Sequence, residues 1–334
     1  MDNRGLARKE QDDGGDEVSM QCLLRRNYDA ATLVCDHPPR LRHPHKRLVF
    51  ELCGGAATRG AIAVTRWAAA TLPAAAVLAP TETVAMSGTY DYAGDDRGVW
   101  HVNFADPQLF VAYGSALLAQ DELQAAEHPV LGAIREALLA EGQLAQTEDA
   151  TGCTPVLVAG AERRCTIETA PAREPGREYG LYGNRFAAAP ADVIHRAIRV
   201  HPQPGRTNLV AMAAPVGSGR YTRVQIEQIL VTAYTGFAAA VGETAQLWPS
   251  AAAEIRTGFW GCGAFGGNRE IMVILQLLAA GWRAPCGCGS TRSTTPAARA
   301  SRPARRRSTA CWASRANRSA RCSDASQSSA TSGA

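Results

Sequence analysis

The feature that most constrains the fold of this chain is a glycine-rich turn between an apolar stretch and a helix, in TGFWGCGAFGGNREIMVILQLLAA (residues 257–280). Glycines allow positive φ angles and let a backbone approach a ligand closely. Asn268 can cap the helix predicted over Arg269–Ala280 by accepting backbone N–H bonds. The N–H groups of such a turn, with the positive end of the following helix, form an anion site suited to a diphosphate. The alternative is a turn that only packs.

Short apolar runs and helical patterns alternate along the chain. Strands are predicted at Lys46–Cys53, Val99–Ala105, Pro155–Val158 and Asn208–Ala213, and helices at Ser115–Gln124, Leu131–Gly142 and Arg223–Val241. Strands that alternate with helices favour a three-layer α/β/α domain. The sequence therefore predicts an α/β fold over about residues 45–285.

Both ends of the chain have a different composition. Residues 1–44 are expected to be disordered or irregular, because the first twenty are acidic and residues 36–47 are broken by prolines. Residues 286–334 contain no aliphatic side chain larger than Ala and are expected to be a disordered tail rich in Arg, Ala and Ser. The tail is either a basic arm or out-of-frame translation of a GC-rich gene, and we favour the second explanation.

The charge and the cysteines exclude several classes of protein. Ten Arg and one Asp from Arg283 onward leave a net charge of −5 on the preceding residues, although the whole chain carries +4. A nucleic-acid partner is therefore not expected. The apolar stretch Ala61–Pro80 contains Arg66, Pro73 and Pro80, so it predicts buried helices and no membrane span. Scattered cysteines and a polar start indicate reduced thiols in a cytoplasmic protein without a metal site.

A dinucleotide-binding enzyme is a distant alternative. Gly261, Gly263 and Gly266 satisfy the G-x-G-x-x-G pattern of nicotinamide-dependent dehydrogenases. The acidic residue expected about 20 positions later is missing, because the tail there supplies only Ser and Arg. No cofactor is therefore expected.

The glycine turn also resembles a segment of a known family. TGFWGCGAFGGN, followed by a helix, is similar to the GCGAFGG segment of poly(ADP-ribose) glycohydrolases, whose domain is a macrodomain-like sandwich with a mixed central sheet. In that family the segment holds the ADP-ribose diphosphate, with its Phe beside the ligand. The resemblance assigns this loop to Gly263, Ala264, Phe265, Gly266 and Gly267.

A second resemblance lies upstream. Val102–Asp106 (VNFAD) is similar to the family's V-D-F-A-N strand end, and Gln120–Glu122 (QDE) resembles its catalytic Gln-Glu-Glu. The resemblance implies that Glu122 is general acid and then general base, that Asp121 helps to hold the ribose, and that Asn103, Asp106 and Gln120 contact the ligand. Two adjacent carboxylates repel each other, which raises the pKa of at least one of them and suits a proton donor for glycoside cleavage. Without the resemblance, two adjacent acids on a helix usually indicate a solvated face.

The sequence departs from the family in one place. The family's Gly-Gly-Gly run before the Gln corresponds here to Phe110, Val111 and Ala112, whose side chains are expected to narrow or reshape the site. An aromatic residue that stacks on adenine is expected at Tyr179 or Tyr182, with Phe186 as a third candidate. A turn with surface tyrosines is the alternative there.

These observations predict two functions. The first is hydrolysis of the ribose glycosidic bonds of ADP-ribose polymers or conjugates by a monomer that acts on modified proteins. The second is a non-catalytic ADP-ribose-binding module or inactive paralogue. A product of a damaged gene is the third explanation.

Overall fold

The computed structural model describes residues 20–72, 77–78, 82–86, 92, 97–217, 219–283 and 307–311. Its strands are β1 (Cys22–Asp29), β2 (Ala61–Trp67), β3 (Val77–Leu78), β4 (Glu82–Met86), β5 (Val99–Ala105), β6 (Glu148–Asp149), β7 (Gly152–Cys153), β8 (Val156–Ile167), β9 (Ile198–Ala213), β10 (Glu254–Thr257), β11 (Trp282–Arg283) and β12 (Arg307–Cys311). Its helices are α1 (Ala30–Asp36), α2 (Pro44–Leu52), α3 (Gln120–Glu127), α4 (Val130–Ala140), α5 (Arg185–Ala188), α6 (Ala191–Ala197), α7 (Arg223–Leu247) and α8 (Arg269–Gly281).

Eight of the described strands form one mixed sheet in the order β1-β2-β8-β9-β5-β10-β12-β4. The pairs β1/β2, β2/β8 and β8/β9 are antiparallel. The pairs β9/β5, β5/β10, β10/β12 and β12/β4 are parallel. The sheet thus changes from antiparallel to parallel at β9.

Successive residues of β9 pack on opposite faces of the sheet, as the period of a strand requires. Leu209 and Ala211 join a core with α1 and α4, whereas Val210 and Met212 join a core with α7 and α8. Burial on both faces accounts for the nearly continuous apolar run of this strand. The three-layer α/β/α prediction is confirmed.

Several predicted elements are also confirmed. The strand over Val99–Ala105 is β5, and Asn208–Ala213 is the end of β9. The predicted helix after Asn268 is α8, and the side chain of Asn268 accepts the Ile271 N–H at 3.1 Å. The helix α7 begins at Arg223 as predicted and runs six residues further than expected.

The N-terminal region differs from the prediction. Residues 22–36 form β1, which pairs with β2, and α1, which packs on α4, so the folded domain begins well before residue 45. The prediction of a strand over Lys46–Cys53 is wrong, because Pro44–Leu52 is helical. Pro44 fits the first turn of a helix, and Lys46 and Val49, three residues apart, are buried on one helical face. The predicted helix within Ala61–Pro80 is wrong for Ala61–Trp67, which forms β2 between β1 and β8.

The C-terminal tail contributes one strand. Arg307–Cys311 (β12) pairs in parallel with β10 and with β4. The expectation that this segment forms no strand is wrong for these five residues, since ladder bonds use main-chain groups and need no aliphatic side chain. The expected disorder of residues 1–19, and of the remainder of the tail, concerns residues outside the described ones.

The longest helix, α7, is a core element. By length and composition its 25 residues could cross a membrane, but 56% of its most apolar stretch is buried inside the protein. Ile229, Ala233 and Phe237 pack against β9 and α8 in one core. Burial against a sheet explains the apolar composition of this helix.

Candidate functional site

Three loops follow the carboxyl ends of neighbouring parallel strands. Residues 214–222 follow β9, residues 106–119 follow β5, and residues 258–268 follow β10. In α/β sheets, this edge is where ligands usually bind. The first and third loops are joined, because Gly217 N–H donates to the Phe265 carbonyl at 2.9 Å and Asn268 N–H donates to the Tyr221 hydroxyl at 2.9 Å.

The glycines of the turn after β10 divide into two groups. Gly261 and Gly266 have φ angles of +71° and +68°, and a Cβ on Gly267 would lie 2.7 Å from the Gly261 carbonyl oxygen. These three positions require glycine for the fold itself. Gly263 differs, since a Cβ there would meet nothing within 4 Å. It is exposed and borders open space.

The amides of the turn divide in the same way. The N–H groups of Cys262, Gly266 and Gly267 donate to carbonyls of the turn. Within the described part of the chain, the N–H groups of Gly263, Ala264 and Phe265 have no protein acceptor. Three successive free amides thus lie just ahead of the N-terminus of α8. Such an arrangement can bind an anion.

The two acids occupy the first turn of α3 and are buried. Asp121 is 6% exposed and Glu122 is 5% exposed. The Asp121 carboxylate accepts a hydrogen bond from Asn103 Nδ2 at 3.0 Å, and Glu122 Oε2 accepts the Ala119 N–H at 2.9 Å. Because both acids are buried, the alternative of a solvated acidic face does not describe this helix.

Burial also determines the protonation of the pair. Loss of hydration first, and the negative charge of Glu122 second, raise the pKa of Asp121 to about 7. The hydrogen bond from Asn103 and the charge of Lys46 act in the opposite direction. Asp121 can therefore hold a proton near neutral pH, as general acid chemistry requires.

The other predicted ligand contacts mainly hold α3 on the sheet. Gln120 bonds β5 at both ends of its amide, accepting from Phe104 N–H at 2.7 Å and donating to the Val102 carbonyl at 3.1 Å. Asn103 is fully buried beneath Asp121 and also donates to Gln124. Its Oδ1 has no hydrogen-bond donor among the described residues. Asp106 is half-buried and accepts the Gln108 N–H.

Lys46 is a residue of this site that the sequence analysis missed. Its ammonium group, which is buried on α2, donates to the Glu122 carbonyl at 3.2 Å. Burial lowers the pKa of Lys46 to about 8, although the charges of Glu122 and Asp121 oppose the shift. The sequence feature that could have drawn attention to Lys46 is the rarity of lysine, since Lys9 and Lys46 are the only two lysines of the chain.

The loop that carries Tyr179 and Tyr182 (residues 179–183, the tyrosine loop) is hydrogen-bonded to the segment just before α3. Leu118 and Gly183 exchange two main-chain hydrogen bonds, of 3.3 and 2.9 Å. Tyr179 is 74% exposed and Tyr182 is 42% exposed, so both rings present surface to solvent. Phe186, the third candidate for stacking, is fully buried and packs on His45. It therefore serves the core.

One comparison bears on the sequence from residue 176 onward. Residues 176–285 match the family described as poly(ADP-ribose) glycohydrolase (PARG), macro domain fold. This segment is therefore similar to that family. It includes the tyrosine loop, β9, β10 and the glycine turn, and it covers about a third of the chain. The acid pair and Lys46 lie upstream of it.

Solved structures give a second comparison. The poly(ADP-ribose) glycohydrolase of Thermomonospora curvata is 15% identical, with a TM-score of 0.40, over 86% of this chain and 79% of that one. The Deinococcus radiodurans enzyme in complex with ADP-ribose is 13% identical, with a TM-score of 0.35, over 86% and 87%. No curated protein sequence matches the chain.

The segment Phe110–Ala112, which replaces the Gly-Gly-Gly run of the glycohydrolase pattern, has an unusual backbone at its first residue. Phe110 has a φ of +52°, the left-handed conformation that favours glycine. Among the described residues, it is the only non-glycine residue with a positive φ. Its side chain is fully buried in the core that includes α1 and α4, and it does not line an open surface. Val111 and Ala112 are half-buried. The expected narrowing of the site therefore does not come from the Phe110 ring.

A shallow depression elsewhere on the surface is a weaker candidate for the functional site. It has a volume of about 470 Å³ and is lined by Arg199, Val200, His201, Pro202 and Gln203. These residues lie near the start of β9, at the opposite end from Ala213 and the three loops. Nothing in its lining resembles the acid pair or the free amides.

Proposed function

We propose that this protein binds ADP-ribose and hydrolyses the ribose glycosidic bond of ADP-ribose polymers or conjugates on modified proteins. One observation carries the proposal. The three free amides follow β10, the buried acid pair follows β5, and these two strands are parallel neighbours in the sheet. A diphosphate and a glycosidic bond are the groups that those two features suit. The family match over residues 176–285 supports the same ligand.

The proposed binding step uses the turn after β10. The N–H groups of Gly263, Ala264 and Phe265 donate to oxygens of the diphosphate, and the dipole of α8 adds to the attraction. Tyr179 or Tyr182 stacks on the adenine, since both rings are accessible. The half-buried Phe265 lies beside the ligand.

The proposed chemical step uses the acids of α3. Glu122 donates a proton to the oxygen of the departing ribose as the bond to the anomeric carbon breaks. The resulting carboxylate then takes a proton from the water that attacks that carbon. Asp121, whose pKa is near 7, supplies the pair with a proton at neutral pH and holds the ribose.

A specific observation favours the second candidate, a non-catalytic ADP-ribose-binding module. Phe110 stands where the glycohydrolases have glycine, so one ribose-contacting stretch of the site differs from that of active relatives. Binding at the glycine turn does not depend on this stretch. The two functions therefore share the ligand and differ in the chemistry.

Two measurements separate these functions. We expect calorimetric titration with ADP-ribose to show binding by the wild type and by Glu122→Gln. Release of ADP-ribose from automodified polymerase should fall by about 10²- to 10⁴-fold in Glu122→Gln, the usual contribution of a general acid. Equal release by both proteins removes the hydrolase proposal and leaves the binding module. Absence of binding by the wild type removes both.

A further inference from the structure

Lys46 is exceptional in its residue type and its burial. The chain contains 35 basic residues, of which Lys9 and Lys46 are the lysines. Lys46 is 2% exposed, although a buried charge loses its hydration at considerable cost. An arginine would remain charged at every accessible pH, whereas a buried lysine can titrate. Among the described residues, the cation buried beside the acids is thus one that can lose its charge.

The contacts of Lys46 connect α2 to the first turn of α3. Its Nζ donates to the main-chain carbonyl of Glu122 at 3.2 Å and lies 5.6 Å from the centre of the Phe186 ring. Phe186 is itself fixed, because its carbonyl lies 2.9 Å from His45 Nδ1. The ammonium group is therefore held between an aromatic ring and the peptide group of the predicted acid.

Among the described residues, the charges that act on Lys46 are those of Glu122 and Asp121 on α3. Asp106, after the end of β5, acts in turn on Asp121. On its own segment are His43, His45, Arg47 and Glu51. With Lys46 protonated, the neutral arrangement of the buried group is one carboxylate and one carboxylic acid.

We propose that Lys46 is a positioning residue that holds the first turn of α3 and keeps the Asp121–Glu122 pair at a single negative charge. This inference rests on the proposed function of that pair. Without Lys46, one carboxylate would be buried uncompensated, and the pair would retain its protons to a higher pH. Lys46 thereby sets the pH range over which one acid is protonated and the other ionised.

The charge coupling can be measured without any catalytic assay. Full-length protein carrying [¹³C,¹⁵N]lysine gives two sets of lysine signals, and Lys46→Met assigns them. We expect the Lys46 signal to titrate near pH 8, below the ordinary value of 10.5, and to move lower in Asp121→Asn and in Glu122→Gln. Titration at the ordinary value, or no response to either acid variant, overturns the proposal. This holds whether or not the protein hydrolyses ADP-ribose.

The pH profile of ADP-ribose release tests the consequence for the site. Loss of the positive charge in Lys46→Met raises the pKa of the acid pair, so the alkaline limb should move up by about one pH unit. Arg47→Met is the matched control, because Arg47 is an exposed cation on the same helix and should leave the limb in place. An unmoved limb in Lys46→Met, or an equal shift in both variants, contradicts the role of Lys46. If Lys46→Met fails to fold, the wild-type and acid-variant lysine titrations still decide the question.

Discussion

Replacing Phe110 tests whether the chain retains a glycine-type backbone where the family has glycine. Phe110 is fully buried and has a φ of +52°. We compare Phe110→Ala, which removes the ring, with Phe110→Gly, which removes the ring and also relieves the backbone. Leu109, also fully buried and without positive φ, supplies the control pair Leu109→Ala and Leu109→Gly.

The expected magnitudes follow from burial and conformation. Loss of a buried Phe ring costs about 3–5 kcal/mol. Left-handed backbone costs a residue with a Cβ roughly 1–2 kcal/mol, which Phe110→Ala retains and Phe110→Gly relieves. The greater conformational freedom of Gly in the unfolded chain destabilises Phe110→Gly by about 0.5–1 kcal/mol and offsets part of this gain. Phe110→Gly should therefore be more stable than Phe110→Ala by up to about 1.5 kcal/mol. At Leu109 the order should be reversed.

Urea denaturation of the four variants, analysed for midpoint and slope, measures these differences. The result that would refute the reasoning is Ala exceeding Gly in stability at both positions. In that case the positive φ at Phe110 would carry no energetic preference for glycine.

Two further predictions concern the site. Gly263→Ala should weaken ADP-ribose binding, measured by calorimetry, without changing Tm, because the added Cβ enters the open space ahead of the free amides. The control is Gly205→Ala, whose Cβ also meets no neighbouring atom and which should leave the affinity unchanged. Equal affinities of the two variants contradict the placement of the diphosphate. Because the pKa of Asp121 is raised to about 7 from 3.8, the folded state keeps a proton that the unfolded state releases, so this contribution to stability is lost as pH rises from about 4 to 7. Asp121→Asn should abolish that loss, of at most about 1.4 kcal/mol per pH unit, in thermal denaturation at a series of pH values; parallel pH profiles for both proteins would show that Asp121 is not the group responsible.

The sequence predicted the parts of the fold that have strong local signals. The run Val99–Ala105 is rich in β-forming residues and alternates in part, and Asn268 after the glycines marks the start of α8. The division of the turn into structural glycines and the open Gly263 could not be predicted. It depends on Ala214 and Gly217, which approach Gly261 and Gly266 from a different loop.

The parts that local patterns misjudged depend on distant partners. The run Leu48–Phe50 suits a strand, but burial of Lys46 and Val49 on one face produces a helix. Burial of a lysine could not be predicted, because the segment that contacts it on α3 lies 76 residues away in the sequence. Residues 22–36 were likewise misjudged, since β1 is stabilised by pairing with β2 across the α1–α2 region.

The two hydrogen bonds between Leu118 and Gly183 join the tyrosine loop to the segment that leads into α3. A displacement of the tyrosine loop would therefore be transmitted to Leu118, two residues before α3, the helix that carries Asp121 and Glu122. Grafting either segment alone into a relative would sever this linkage. An engineered transfer should therefore exchange both segments together.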